Sequence, residues 1–397
     1  MVRIMKKFLS TLTFWKCVAA LILLAGAYST AVRFFGGLGA ATNLSDEFPW
    51  GLWIGFDILC GVGLAAGGFT LAAIVYVFNV KRFEPIIRPT ILTAFLGYLL
   101  VIVALMFDLG RPNQIWHAMV MWNPHSVMFE VAWCVMLYTT VLFLEFLPVI
   151  LEKLKLARVS RVLKRISIPL IILGVLLSTL HQSSLGSLYL IVPEKLYSLW
   201  YTPYLPVFFY VSAIAAGCGM IILESFLSSR AFHRGLELNL LSEIGRVAVV
   251  MLSIYLTMKL VDLADRHAFS LLLVPRMETY LYWLEVSVGI LAPLLLLSRE
   301  KMRRSQNGLF FSAVMIIIGF VLNRMNIGIS GMEAWAGINY FPSWMEISVT
   351  LSIVVAGFVL FAMAAKYLPL FVHEKVTSRH VPSRAWIEDM KSVSQPL

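Results

Sequence analysis

Within stretches of otherwise unbroken apolar sequence stand a few residues able to exchange protons or hydrogen-bond a buried polar group. They are Asp57, Asp108, Glu130, His181 with Gln182, Ser183 and Ser184, Lys259 with Asp262, Glu285, the group Asn323, Arg324 and Asn326, and Glu346. A charge in hydrocarbon costs several kcal/mol unless it is paired or hydrated, so a chain that keeps this many inside apolar segments is using them. Acid–base chemistry and hydrogen bonding to a buried ligand are what such residue types support.

The elements that must position these residues are membrane helices. Of 397 residues, 60% are hydrophobic and only 14% charged, and the mean hydropathy is +0.84. This composition excludes a soluble domain and predicts an all-α polytopic membrane protein. Ten apolar segments each reach the roughly twenty residues that ~30 Å of hydrocarbon requires. They are read at 14–35, 50–79, 89–109, 124–149, 167–190, 204–229, 240–263, 279–298, 308–327 and 343–368. Lys6 and Lys7 before an apolar run resemble a signal sequence, but no convincing cleavage site follows, so that run is kept as the first helix.

The net charge of +10 follows the loops rather than a nucleic-acid-binding face. Both termini and the second, fourth, sixth and eighth loops hold 23 Lys and Arg, against four (Arg111, Lys195, Arg266 and Arg276) in the alternate loops. The asymmetry predicts cytoplasmic termini, in agreement with an even number of spans. The reading is then a cytoplasmic segment over 1–13, a ten-helix domain over 14–370 and a cytoplasmic polar tail over 371–397.

With this topology the polar residues named above fall in the outer half of the membrane. Asp57, Glu130 and Glu285 are placed about two turns inside their helices and His181 in the outer part of the fifth, and these four are the functional set. Asp108, Asp262, Arg324 and Glu346 lie near helix ends, where snorkelling or private pairing competes with function. A thinner cytoplasmic set comprises Glu145, Glu224, Glu243 and Arg246. Glu243 and Arg246, three apart on one helical face, predict a salt bridge, whereas Glu145 and Glu224 are candidates, with Glu130, for a proton path.

The four cysteines, Cys17, Cys60, Cys134 and Cys218, fall singly in four helices, without the pairing that an iron–sulfur cluster or zinc needs. Of seven histidines only His181 lies well within a span, which predicts no haem held between two axial histidines. Gly61, Gly63, Gly67 and Gly68 lie inside an apolar helix and predict close helix contact rather than nucleotide binding. Helices two to five can be overlaid on six to nine, matching Glu130 with Glu285, Asp108 with Asp262 and His181 with Arg324. The overlay predicts two pseudo-related four-helix bundles, about 50–190 and 204–327, plus flanking helices at 14–35 and 343–368.

Several runs carry a family resemblance over nearly the whole chain. Phe48-Pro49-Trp50-Gly51-Leu52-Trp53-Ile54-Gly55-Phe56-Asp57, Gly67-Gly68 and Tyr76-Val77-Phe78-Asn79 resemble the second helix of NrfD and PsrC-type quinone-interacting membrane subunits. Asp108-Leu109-Gly110-Arg111, Ser126-Val127-Met128-Phe129-Glu130, His181-Gln182-Ser183-Ser184-Leu185-Gly186-Ser187 and Tyr340-Phe341-Pro342-Ser343-Trp344 extend it. Ten helices and the His-Gln-Ser-Ser-x-Gly-Ser run most resemble the HybB-like membrane subunits of respiratory nickel–iron hydrogenases, and DsrMKJOP-type and Hmc-type subunits share much of the pattern.

The resemblance implies a subunit without haem or iron–sulfur cluster that exchanges electrons between a periplasmic four-cluster ferredoxin-like partner and membrane menaquinone or ubiquinone. Catalytic partners would be a nickel–iron hydrogenase or a multihaem cytochrome, in a bacterial inner membrane. Quinone reduction takes two electrons and two protons, so the headgroup needs hydrogen-bond donors and a titratable group. Carried over residue by residue, His181 and Asp57 lie at the headgroup with Gln182, Ser183 and Asp108. Glu130 and Glu285 are proton carriers, Glu145 and Glu224 a cytoplasmic proton path, and Arg111, Arg324 and Asp262 charge-pairing or partner-facing groups. Trp50, Trp53 and Trp344 are read as interfacial belt residues. A secondary transporter or ion channel acting without redox partners is the competing class, although the Gly- or Pro-broken helix pair of transporters is not seen.

Overall fold

The computed structural model describes residues 13–77, 80–232 and 235–370. Residues 1–12 of the expected N-terminal segment, the tail 371–397 and the Phe78-Asn79 end of the second-helix motif lie outside the described residues. In a bilayer every backbone N–H must find its acceptor within the chain, and a helix does this segment by segment. Ten helices are long and apolar enough to cross: α1 (Phe14–Gly36), α2 (Trp53–Tyr76), α3 (Ile86–Asp108), α4 (Val127–Lys153), α5 (Ser167–Ile191), α6 (Leu205–Phe232), α7 (Leu238–Asp265), α8 (Met277–Ser298), α9 (Gln306–Ala336) and α10 (Trp344–Tyr367). Every expected span is present, and every described element is helical.

Burial sorts the ten. The most apolar window of α2 is 78% buried and that of α6 72%, whereas α1 and α10 reach only 17%. The first two are therefore the axis of the molecule, and the last two face lipid. Helices α2 to α5 pack on one another, as do α6 to α9, and α6 joins the sets by packing on α5 and α2. The flanking helices differ from expectation: α1 and α10 pack on each other, and α10 also lies along α3. They do not bracket the molecule from opposite ends.

Helix limits shift two readings. The Ser126 hydroxyl caps α4 by accepting the Phe129 N–H at 3.4 Å, so Glu130 falls in the first turn rather than two turns deep. Glu130 is consequently exposed at the helix edge. Helix α9 continues past Ile327 because Asn326–Ser330 forms a π-turn that leads into Gly331–Ala336. Further π-turns occupy Trp53–Cys60 in α2 and Ser287–Leu291 in α8. Asp57 and Asn326 lie within such turns and Glu285 two residues before one, in keeping with the tendency of π-turns to mark functional positions.

Glycines set the closest crossings. A Cβ on Gly319 would lie 1.9 Å from the Gly289 Cα, so α8 and α9 meet backbone to backbone one turn below Glu285 and Asn323. Gly67 and Gly217 join α2 to α6 in the same way: a Cβ on Gly217 would lie 2.9 Å from the Gly67 nitrogen. Small residues allow the approach on which helix association in lipid depends.

Gly319→Ala should force α8 from α9 and cost about 1–3 kcal/mol, the usual range for overpacking. Thermal unfolding in detergent would show a lowered Tm. Gly39→Ala, where a Cβ meets nothing within 4 Å, serves as the control with little change.

Candidate functional site

Glu285 is almost wholly buried in α8, and every lone-pair direction of its carboxylate is taken. Lys259 Nζ from α7 donates to Oε1 at 2.7 Å and Asn323 Nδ2 from α9 to the same oxygen at 2.9 Å. Trp200 Nε1 donates to Oε2 at 2.9 Å and Asn326 Nδ2 at 3.1 Å. Lys259 is further held over the Tyr282 ring, 4.7 Å from its centroid. A buried ion pair is tolerable in hydrocarbon only when its remaining hydrogen-bonding capacity is met, as it is here. A void of about 20 Å³ lined by Ser212, Tyr255, Glu285 and Asn323 adjoins it, room for about one water.

Beside this pair lie two of the three residues expected to manage charge, Asp262 and Arg324. Asp262 accepts from the Thr202 hydroxyl at 2.5 Å and from Arg266 Nη2 at 2.5 Å, one turn further along α7. Arg324 is buried, but it does not bond a carboxylate: Nη1 donates to Asn323 Oδ1 at 2.6 Å, and Nη2 to Ser212 Oγ at 2.8 Å and the Phe209 carbonyl at 3.1 Å. Its guanidinium lies 3.6 Å from the Phe209 ring centroid, which suits a weakly hydrated cation. The reading of Arg324 as a carboxylate holder or partner-facing group is thus corrected to a buried brace, because the nearer Lys259 takes Glu285. Arg111 is exposed in the loop after α3.

A second group surrounds α5. His181 is fully buried, with Nδ1 bonded to the Tyr98 hydroxyl of α3 at 2.9 Å and Nε2 without a partner. Gln182 donates to the Val62 carbonyl of α2 at 3.1 Å and leaves Oε1 without a partner. One buried ring nitrogen and one buried amide oxygen therefore have unmet hydrogen-bonding capacity on consecutive residues, an arrangement expensive to leave empty. Ser183 is half-buried, and its carbonyl accepts from Ser187 at 3.3 Å. Ser184 donates to Glu130 Oε1 at 2.6 Å, linking α5 to α4. The Tyr98 ring meets Tyr138 edge-on at 4.7 Å, and both Tyr138 and Glu145 face Gly174 of α5. Glu145 in turn lines a cavity of about 740 Å³ at the end of the molecule that carries the basic loops.

A third group joins α2 to α1, α3 and α10. Asp57 accepts from the Thr350 hydroxyl at 2.6 Å. Glu346, also buried, accepts the Asn43 N–H at 2.7 Å and the Tyr340 hydroxyl. That phenol lies outside the spans and is pushed above its ordinary pKa, first by burial and then by Glu346, so it stays a donor. Arg33 reaches from α1 to the Phe107 and Leu109 carbonyls, 2.6 Å each, closing the end of α3 where Asp108 sits. Asp57 and His181 thus lie against different neighbours of α2, rather than side by side. At the basic end Glu224 stands beside Thr93, and Glu243 pairs with Arg82 rather than with Arg246 as expected. Arg82 arrives from the turn before α3, a neighbour that spacing along one helix cannot reveal.

Sequence reasoning missed Tyr98, Tyr138, Trp200 and Thr350 as members of these groups. Each is one polar atom on an otherwise apolar or common side chain, and a single sequence marks none of them.

The chain is similar to known proteins over most of its length. A family model described as polysulphide reductase, NrfD, matches residues 40–336. A protein of Nitratidesulfovibrio vulgaris is 38% identical over 384 residues, covering 94% of this chain and 98% of its own. The probable Ni/Fe-hydrogenase 2 b-type cytochrome subunit of Escherichia coli is 32% identical over 89% of this chain and 92% of its own. The menaquinone reductase integral membrane subunit of Nitratidesulfovibrio vulgaris is 28% identical over 94% of each.

The Escherichia coli name raises a b-type haem, which takes an axial ligand on each face of the iron. Among the described residues His181 is the sole histidine within a span, and its Nδ1 is committed to Tyr98. His117, His125 and His267 lie between spans. The residues present do not fit a haem clasped by two histidines.

Lys259→Met removes the cation from a buried carboxylate and is expected to destabilise the protein by about 3–5 kcal/mol. Adding Glu285→Gln should recover at least half of that in thermal unfolding. Equal losses in the single and double variants would show that the pair does not hold this region.

Proposed function

From the premise that the chain belongs to the NrfD family, we propose that it is the quinone-interacting integral membrane subunit of a respiratory redox complex. It passes electrons between an iron–sulfur partner and membrane quinone. The names of its relatives support this reading, with a hydrogenase subunit and a menaquinone reductase subunit among them. The observation that carries it is the pair of unmet groups on His181 and Gln182, a buried donor and acceptor with no partner in the chain.

In this proposal the substrate headgroup meets those groups in turn: a quinone carbonyl accepts from His181 Nε2, and a hydroxyl of the quinol formed from it donates to Gln182 Oε1. His181 Nε2 hydrogen-bonds one carbonyl oxygen, with Tyr98 on Nδ1 fixing the ring. The partner supplies two electrons and this chain delivers two protons to the quinone oxygens, giving the quinol. The larger cavities, at the basic end, are not lined by His181, so in this proposal the ring enters from the side where Glu130 is exposed beside Ser184. Glu130 exchanges protons there with His181, one helical turn from Ser184. Asp57 and Asp108, held against α10 and α1, form the neighbouring carboxylate reserve, and Gln182 and Ser183 complete the wall. Glu285 carries protons only through exchange with Lys259 and the adjoining void.

In this proposal, which the charge asymmetry of the loops supports, the basic end and both termini face the cytoplasm of a bacterial inner membrane. The partners are then a four-cluster ferredoxin-like subunit on the periplasmic face and a catalytic unit such as a nickel–iron hydrogenase or multihaem cytochrome. A proton route from the cytoplasm runs through Glu145, Tyr138, Tyr98 and His181, with Glu224 at the interface of the two helix sets. Those sets are read as pseudo-related bundles, as the overlay of Glu130 on Glu285 suggests.

In the purified complex, His181→Leu should lower quinone-linked turnover by about 100-fold, the lower range for losing a positioned acid–base group. Dye-linked activity of the soluble partners should persist. Full quinone activity in that variant would remove the site assignment. Glu145→Gln should leave quinone turnover in place while the membrane potential formed per electron falls, and an unchanged potential would exclude the cytoplasmic route.

A further inference from the structure

The two helix sets touch closely where Gly67 meets Gly217. Beside that contact a cavity of about 800 Å³ lies between α2, α5, α6 and α7. Its wall is apolar over most of its length, with Phe69, Ile74, Val175, Ile214 and Val247 among the lining residues. Arg246 and Val175 each lie eight residues into α7 and α5, about 12 Å from the basic end at helical rise, whereas Ile214 lies 18 residues from that end of α6, about 27 Å, so the space runs inward from the level of Arg246. At its mouth are Arg82, Glu243 and Arg246.

The charges there do not cancel. Arg82 is paired with Glu243, and Arg246 is exposed with no ion pair or hydrogen bond to any described residue. One guanidinium is left over an apolar shaft about half a bilayer deep. A shaft this size left empty in lipid forfeits dispersion contacts along its whole wall, so something from the bilayer fills it. The ligand that matches both parts carries one negative charge at the membrane surface and a long apolar chain below it.

We propose that this cavity is a specific site for an anionic phospholipid, its phosphate on Arg246 beside the Arg82–Glu243 pair and an acyl chain between the two helix sets. Basic pockets between helices at the cytoplasmic side are suited to such headgroups. The lipid acts as a wedge that completes the packing of α2 and α5 against α6 and α7. This site is independent of the quinone site and shares no lining residue with the groups at His181 and Gln182.

The test is native mass spectrometry of the full chain, with whatever subunits accompany it, purified in mild detergent, stripped of lipid and incubated with phosphatidylglycerol or phosphatidylcholine of the same chain length. The wild type should retain phosphatidylglycerol at least 10-fold more than phosphatidylcholine. Arg246→Glu should lose that preference, and Arg299→Glu, an exposed change at the same end, should keep it. Val247→Trp fills the shaft while sparing both arginines and should also lower retention, which keeps the proposal testable if Arg246→Glu fails to fold. Equal retention of the two lipids, retention unaffected by both cavity variants, or a quinone retained in place of phospholipid would overturn the assignment.

Discussion

A carboxylate cannot be left bare in hydrocarbon, and the way this chain meets that constraint at Glu285 organises much of the rest. Four donors converge on one side chain from α7, α9 and the segment before α6. Satisfying them fixes the height of α7, α9 and the segment before α6 relative to α8 at once, and the Gly289–Gly319 crossing one turn below fixes the distance between α8 and α9. In water such a pair would contribute little. In a membrane interior the alternative to a complete set of partners is an unmet charge, so the cluster specifies one arrangement of helices rather than many.

The contrast with His181 is instructive. Glu285 has no unmet capacity, whereas the His181 and Gln182 pair has a free nitrogen and a free oxygen at similar burial. The first is satisfied within the chain; the second keeps hydrogen-bonding capacity that the chain does not meet. Polar groups of both kinds look alike as letters in an apolar run, and only their partners tell them apart.

The number of helices and the family were legible in the sequence, because apolar length and motif runs are local or additive properties. Depth was legible for His181 and Glu285 but not for Glu130, whose position turned on a capping hydroxyl at Ser126 that shortens the helix at its start. Pairing was the least legible property. Glu243 sits three residues from Arg246 yet bonds Arg82, and Arg324 lies near Glu285 yet braces Ser212 and the Phe209 carbonyl. Spacing along one helix says nothing of what a neighbouring helix brings. Tyr98 and Thr350 are in the same position: an aromatic or a small hydroxyl in an apolar run carries no mark until its partner is known.

The π-turns in α2, α8 and α9 have a consequence for how this chain is compared with its relatives. Each such turn accommodates an additional residue without lengthening the cylinder much, and so swings everything beyond it by about 100°. A homologue lacking the extra residue at Asn326–Ser330 would keep Asn323 in register but turn its equivalents of Gly331 to Ala336 onto another face. Gaps in an alignment therefore belong inside these spans as well as in the loops, and residues transferred across an ungapped one would be assigned to the wrong wall.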